Sequence, residues 1–106
     1  MKKNIKKKWL AALKSGKYKQ GQEELVQVND ENQKQYCCLG VLCHLWAREK
    51  HKKMPVCDLD GDPMPPDNVL DWAGLNRYDS HILAGVNDEN DIDQFKKVIK
   101  EIEVLD

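Results

Sequence analysis

Between Cys38 and Lys53 the chain carries its strongest apolar stretch, CLGVLCHLW, followed by the charged tail AREKHKK. At helical spacing Leu39, Leu42, Cys43 and Trp46 fall on one stripe, and Val41 and Leu45 widen it. A segment that is apolar nearly all round at one end and wet at the other predicts a helix that begins inside a core and emerges into water. A chain of 106 residues has room for one such core. This segment is therefore expected to be the central helix of a single domain spanning residues 1–106. So small a core would gain from a partner subunit, which keeps a homo-oligomer open.

The other elements arrange themselves around that helix. Ile5, Trp9 and Leu13 recur every four residues, with Leu10 and Ala12 beside them and lysines opposite, so the first segment reads as a helix stopped at Gly16. SGKYKQG reads as a loop. EELVQV and QKQYC flank the turn residues NDEN and predict a β-hairpin with an exposed amide-rich face. The proline-rich PVCDLDGDPMPP predicts a second small hairpin turning at Asp60–Gly61. Pro66 opens and Gly74 closes a short helix over PDNVLDWAGL. NRYDSHILAGVNDEN reads as a link. Asp91 and Gln94 then form a capping-box pattern ahead of a last helix faced by Ile92, Phe95, Val98, Ile99, Ile102 and Leu105. The expected class is α+β and helix-dominated, with about four helices and one or two short hairpins.

Charge is polarised along the chain. Residues 1–20 hold eight lysines and no acid, whereas residues 58–106 hold thirteen acids against four bases, and the net charge is only −1. Such a split suits a basic face for an anionic partner, or opposite ends that attract one another. No run approaches the roughly 18 apolar residues of a membrane span, so no membrane partner is expected. The opening MKKNIKKKWLAAL has too short an apolar part for an export signal, which predicts a cytoplasmic protein. Four cysteines there suggest thiols rather than a disulfide frame.

The series W-x-x-A-L-x-S-G-x-Y-x-Q-G (Trp9 to Gly21), Y-C-C-L-G-V-L-C (Tyr36 to Cys43), W-x-G-L (Trp72 to Leu75) and Asn87–Asp88 before F-x-x-x-I-x-x-I-E resembles a family of small uncharacterised proteins encoded by tailed phages and prophages. The likeness runs in order along nearly the whole chain. It departs at Met64–Pro65, where Leu-Pro is expected, and in the lysine-rich stretch after the central helix. The resemblance implies a phage accessory protein in the bacterial cytoplasm, with no established activity.

Three chemistries fit the residues poorly. For zinc, Cys37, His44 and His51 share a helical face, but seven residues rise about 10.5 Å, too far for one ion with bonds of ~2.0–2.3 Å. Cys38 and Cys43 point about 140° apart, at roughly 100° per residue, and a site would have to recruit Cys57 and His81. No metal and no cofactor is expected, and the cysteines read as small buried hydrophobes. For calcium, Asp58, Asp60 and Asp62 match the first, third and fifth places of an EF-hand loop, but Pro63 and Val69 stand where glycine and glutamate are required. For cysteine catalysis, Cys37 or Cys38 at the start of a buried helix, with His81 as base, is a papain-like arrangement. No polar residue follows to orient the imidazole, so this remains a weak alternative.

Binding is the stronger expectation. The lysine-rich first helix could meet phosphates, yet the first 47 residues hold no arginine and no nucleic-acid-binding motif. SGKYKQG would display Tyr18 and Gln20, and VNDEN would display Asn87 and Asp88, each from a polar loop. The basic helix would contribute Lys6, Lys7, Lys14 and Lys17. The predicted function is a non-catalytic module that occludes a host protein, such as a bacterial defence factor, in the manner of an anti-CRISPR-like inhibitor. The alternative within binding is a trap for a nucleotide signal, with Lys17, Lys19 and Tyr18 meeting a phosphate and a base.

Overall fold

The computed structural model describes residues 1–22, 24–53, 64–89 and 93–105. The expected central helix is there as α2 (Cys38–Lys50), and α1 (Lys3–Lys14), β1 (Val26–Val28) and β2 (Lys34–Tyr36) precede it. After it come α3 (Asp67–Ala73), α4 (Arg77–Glu89) and α5 (Lys96–Glu103). The fold is a small, helix-dominated α+β domain in which α2 touches α1, α3, α4 and β2, and α5 closes against α1 and α4. The apolar stripe explains that central place. Leu39, Val41, Leu42 and Cys43 have no exposed surface at all.

Two motif residues anchor α2. The indole Nε1 of the fully buried Trp9 donates to the Cys38 carbonyl at 2.9 Å, locking α1 to the first turn of α2. Gly40 lies against the Leu25 backbone so closely that a β-carbon there would sit 1.8 Å from the Leu25 carbonyl oxygen. A glycine is required because strand entry and helix share that space. The α2 N-terminus is capped by sulfur: Gly40 N donates to Cys37 Sγ at 3.3 Å.

The hairpin pairs Val26 with Tyr36 and Val28 with Lys34 in antiparallel register. Asn29 holds its turn, its side-chain oxygen accepting from Glu31 N and Gln33 N. On the other side of Tyr36 the loop 19–21 adds a short parallel bridge, through Tyr36 N to Lys19 O and Gly21 N to Tyr36 O, both at 2.7 Å. Pro66 and the left-handed Gly74 bound α3 as predicted.

Two expectations are corrected. The segment read as a link is the helix α4, which makes five helices among the described residues. Its buried face holds Ser80, Leu83 and Asn87, so hydrophobic periodicity could not reveal it. The available signal was Asn76, whose side-chain oxygen accepts from Asp79 N at 2.7 Å and caps the first turn. The start of α5 also differs. Gln94 sends its side-chain amide to the Tyr18 carbonyl, and Lys97 N donates to Asp93 Oδ2 at 3.3 Å. The second hairpin with Asp58, Asp60 and Asp62, together with Cys57, Asp91 and Ile92, lies outside the described residues.

Candidate functional site

Four pieces of chain meet around one pocket: the C-terminal half of α1, the loop after it, the end of β2 and the middle of α2. The pocket measures about 500 Å³. Tyr18, Tyr36 and His44 line it, with Ala11, Ala12 and Leu45 as apolar wall and Ser15, Lys17 and Arg48 as polar rim. The three rings brace one another. Tyr18 stands edge-on to Tyr36, with centroids 5.1 Å apart, and edge-on to His44 at 5.4 Å. The Tyr18 hydroxyl and His44 Nδ1 are hydrogen-bonded at 2.6 Å.

The lining is cationic, and among the described residues it contains no carboxylate. Burial holds the His44 imidazole below its usual range, and the charges of Arg48 and Lys34 lower it further. Burial, with Tyr18 nearby, pushes the Tyr36 phenol up. The site favours a neutral imidazole at His44 and a neutral phenol at Tyr36 beside the cationic side chains.

The sequence-predicted residues divide between this pocket and the interior. Tyr18 and Lys17 belong to the pocket, although Tyr18 is buried rather than displayed. Gln20 and Asn87 are only 1% and 2% exposed, which corrects the expectation that both project from polar loops. Gln20 Oε1 accepts from Asp93 N and Phe95 N, and Gln20 Nε2 donates to Asn87 Oδ1. Asp88 lies half-buried in α4 and accepts from Asn87 Nδ2 at 3.0 Å.

The lysines divide in the same way. Lys6 Nζ donates to the carbonyls of Glu103 and Leu105 at the C-terminal end of α5, and Lys14 pairs with Glu103 at 3.8 Å. Those two serve the fold. Lys7 and Lys17 are exposed and form no ion pair among the described residues. Sequence reasoning missed Tyr36, His44 and Arg48. The i, i+4 spacing of His44 and Arg48 was the usable signal, but it lay inside a segment read as core.

The papain-like geometry does not form. Cys38 has no exposed surface, its thiol donates to the Leu83 carbonyl, and burial raises its pKa well above the ordinary thiol range. Burial here outweighs the helix-terminal field that would favour a thiolate. His81 is exposed on α4. Cys37 is buried and occupied as a helix cap. Among the described residues no three His, Cys, Asp or Glu side chains gather where a metal could bind, and no helix is long and apolar enough to cross a membrane.

Neither a curated protein nor a solved structure matches the chain. A family model does match, over residues 1–104, and the chain accordingly belongs to the family described as a domain of unknown function, DUF8296.

Proposed function

We propose that this protein is a non-catalytic binding module, a phage accessory protein of the bacterial cytoplasm that occludes an acidic surface of a host protein such as a defence factor. The observation that carries the reading is the surplus of positive charge around the pocket. Lys17, Lys34 and Arg48 are exposed without an ion pair among the described residues, and Lys7 precedes Ala11 and Ser15 on the same α1 stripe. Uncompensated like charges repel one another, and an acidic partner relieves that repulsion while steering its own approach. The buried thiols support a module that holds a partner without transforming it. The phage setting is supported by the motif resemblance.

The test is affinity capture of the tagged protein from bacterial host cells, followed by mass spectrometry. A stoichiometric host protein that disappears with the double variant Lys7→Glu, Arg48→Glu, at unchanged melting temperature, supports the reading. Recovery of nucleic acid alone, or of a partner indifferent to the charge reversal, overturns it.

A further inference from the structure

We propose that the pocket between α1 and α2 binds a nucleoside monophosphate, with Lys17 and Arg48 as partners of the phosphate and Tyr36 with His44 as the surface for the base. The inference rests on reading this face as the anion-binding face and goes further by assigning it a small ligand. A volume of about 500 Å³ lies within the roughly 300–1,000 Å³ of small-molecule sites.

The chemistry of the lining selects the class. Lys17 and Arg48 enter from different elements, and no carboxylate among the described lining residues neutralises them. A guanidinium offers a planar fork to phosphate oxygens, and a lysine adds a point charge. An anion without a ring would leave the aromatic lining unused. A neutral ring would leave the cations unanswered. A phosphate joined to a flat heterocycle uses both.

The rings are also held ready. Tyr36 and His44 are half-buried with centroids 5.8 Å apart, and the buried Tyr18 packs edge-on against each. With Nδ1 of His44 engaged by the Tyr18 hydroxyl, Nε2 is the ring nitrogen without a hydrogen bond among the described residues. A base stacking on such a platform loses little to side-chain ordering.

The experiment titrates the full chain, at low salt, with AMP, CMP, GMP and UMP in turn, and with adenosine and inorganic phosphate as the separate parts. At least one nucleotide should bind saturably at one per chain, and each separate part should bind at least about tenfold more weakly. Lys17→Gln and Arg48→Gln, both at exposed positions, should each weaken the nucleotide about tenfold at unchanged melting temperature. Tyr36→Leu should weaken the nucleotide while sparing inorganic phosphate. Absence of saturable binding by all the nucleotides, or binding indifferent to Lys17→Gln and Arg48→Gln, overturns the assignment, as does phosphate binding as tight as that of a nucleotide. If nucleotides fail while a host protein is captured through Lys7 and Arg48, the small-ligand assignment falls and the occlusion reading stands. If a nucleotide binds and no host protein is captured, the occlusion reading falls and the small-ligand assignment stands.

Discussion

Asn87 accepts a hydrogen bond from Gln20 across 67 positions of sequence, Nε2 to Oδ1 at 3.2 Å, with both side chains almost wholly buried. The same Asn87 oxygen accepts from Cys38 N at 3.1 Å, and its amide donates to the Gly21 carbonyl at 2.9 Å. One side chain thereby joins the loop after α1, the first turn of α2 and the last turn of α4. Asn87→Ala would strand all three partners in the interior. Each buried polar group left without a partner costs roughly 1–3 kcal/mol, so a loss of about 3 kcal/mol or more is expected. Asn87→Asp keeps the shape but turns an oxygen toward the Gly21 carbonyl, and it should also destabilise. Urea midpoints of the two variants check this, and near-parental values would show that the network contributes little.

How far the fold was legible follows from which residues face inward. The α1 and α2 stripes are apolar and periodic, and α3 is bracketed by Pro66 and Gly74, so local pattern sufficed for them. In α4 the inward positions include Ser80 and Asn87, whose burial is set by tertiary packing, and no local pattern announces it. Gln20 was misread for the same reason. Polar residues in a loop are usually solvated, whereas this one is buried because it supplies the acceptor for two backbone N–H groups ahead of α5. The pocket was half legible. Lys17 and Tyr18 stood out in the loop, while Tyr36 and His44 became neighbours only when β2 and α2 packed together.

The glycines of α2 and α4 should respond in opposite directions. In Gly40→Ala the new methyl would meet the Leu25 carbonyl oxygen at 1.8 Å and its carbon at 2.7 Å, both backbone atoms that cannot swing aside. Overpacking of this kind costs typically about 1–3 kcal/mol and occasionally more, and this contact belongs at the upper end. At Gly85, in α4, nothing lies within 4 Å of an added β-carbon. Gly85→Ala should raise stability by about 0.5–1 kcal/mol, because alanine leaves less backbone freedom in the unfolded chain. Thermal melts of the two variants suffice, and equal effects would contradict the packing at Leu25.

Thiol reactivity should report unfolding rather than a site. Cys37, Cys38 and Cys43 are all buried, and burial raises the Cys38 pKa. With Cys57 replaced by Ser, labelling by a disulfide reagent should be slow in buffer and should accelerate with denaturant in step with the unfolding curve. Fast stoichiometric labelling of one thiol in buffer would reopen the case for a reactive cysteine.

Acid should weaken the fold partly through His44. The groups around its ring are the Tyr18 hydroxyl, the Tyr36 ring and the cations Arg48 and Lys34, with no carboxylate among the described neighbours. Its folded-state pKa lies below the usual 6.5, so the unfolded chain takes up the proton more readily. The stabilising contribution of the neutral ring is therefore complete above 6.5 and declines as the pH falls through the folded-state value. Glu49 is lowered too, chiefly by the hydrogen bond from the Trp72 indole and further by Lys8. Its contribution is lost in a separate, more acidic window below the usual 4.5. His44→Gln should flatten the pH dependence of stability just below neutrality and leave the acidic limb as it was. An unchanged slope in the variant would mean that His44 is not depressed.

The eight lysines of the first twenty residues should separate by what they touch. Lys6 is half-buried, and its Nζ donates at 3.0 Å to the Glu103 carbonyl and at 2.5 Å to that of Leu105. Those carbonyls lie at the C-terminal end of α5, where a helix presents unsatisfied acceptors and partial negative charge. A cation there adds roughly 0.3–1 kcal/mol through the dipole, and hydrogen bonds from a charged donor add to it. Lys6→Met keeps the apolar stem and removes only the head, so it should lower stability by about 1–2 kcal/mol. Lys14 faces Glu103 with both side chains about half exposed, and Lys14→Met should stay within about 0.5 kcal/mol. Lys7→Met should leave stability unchanged to the same precision, because its charge faces solvent. Melting curves at low and high salt distinguish these cases, since screening should shrink the Lys6 effect only partly in its half-buried setting. If Lys7→Met destabilises as much as Lys6→Met, Lys7 also serves the fold. The positive surface left for a partner would then contract to Lys17, Lys34 and Arg48 around the pocket.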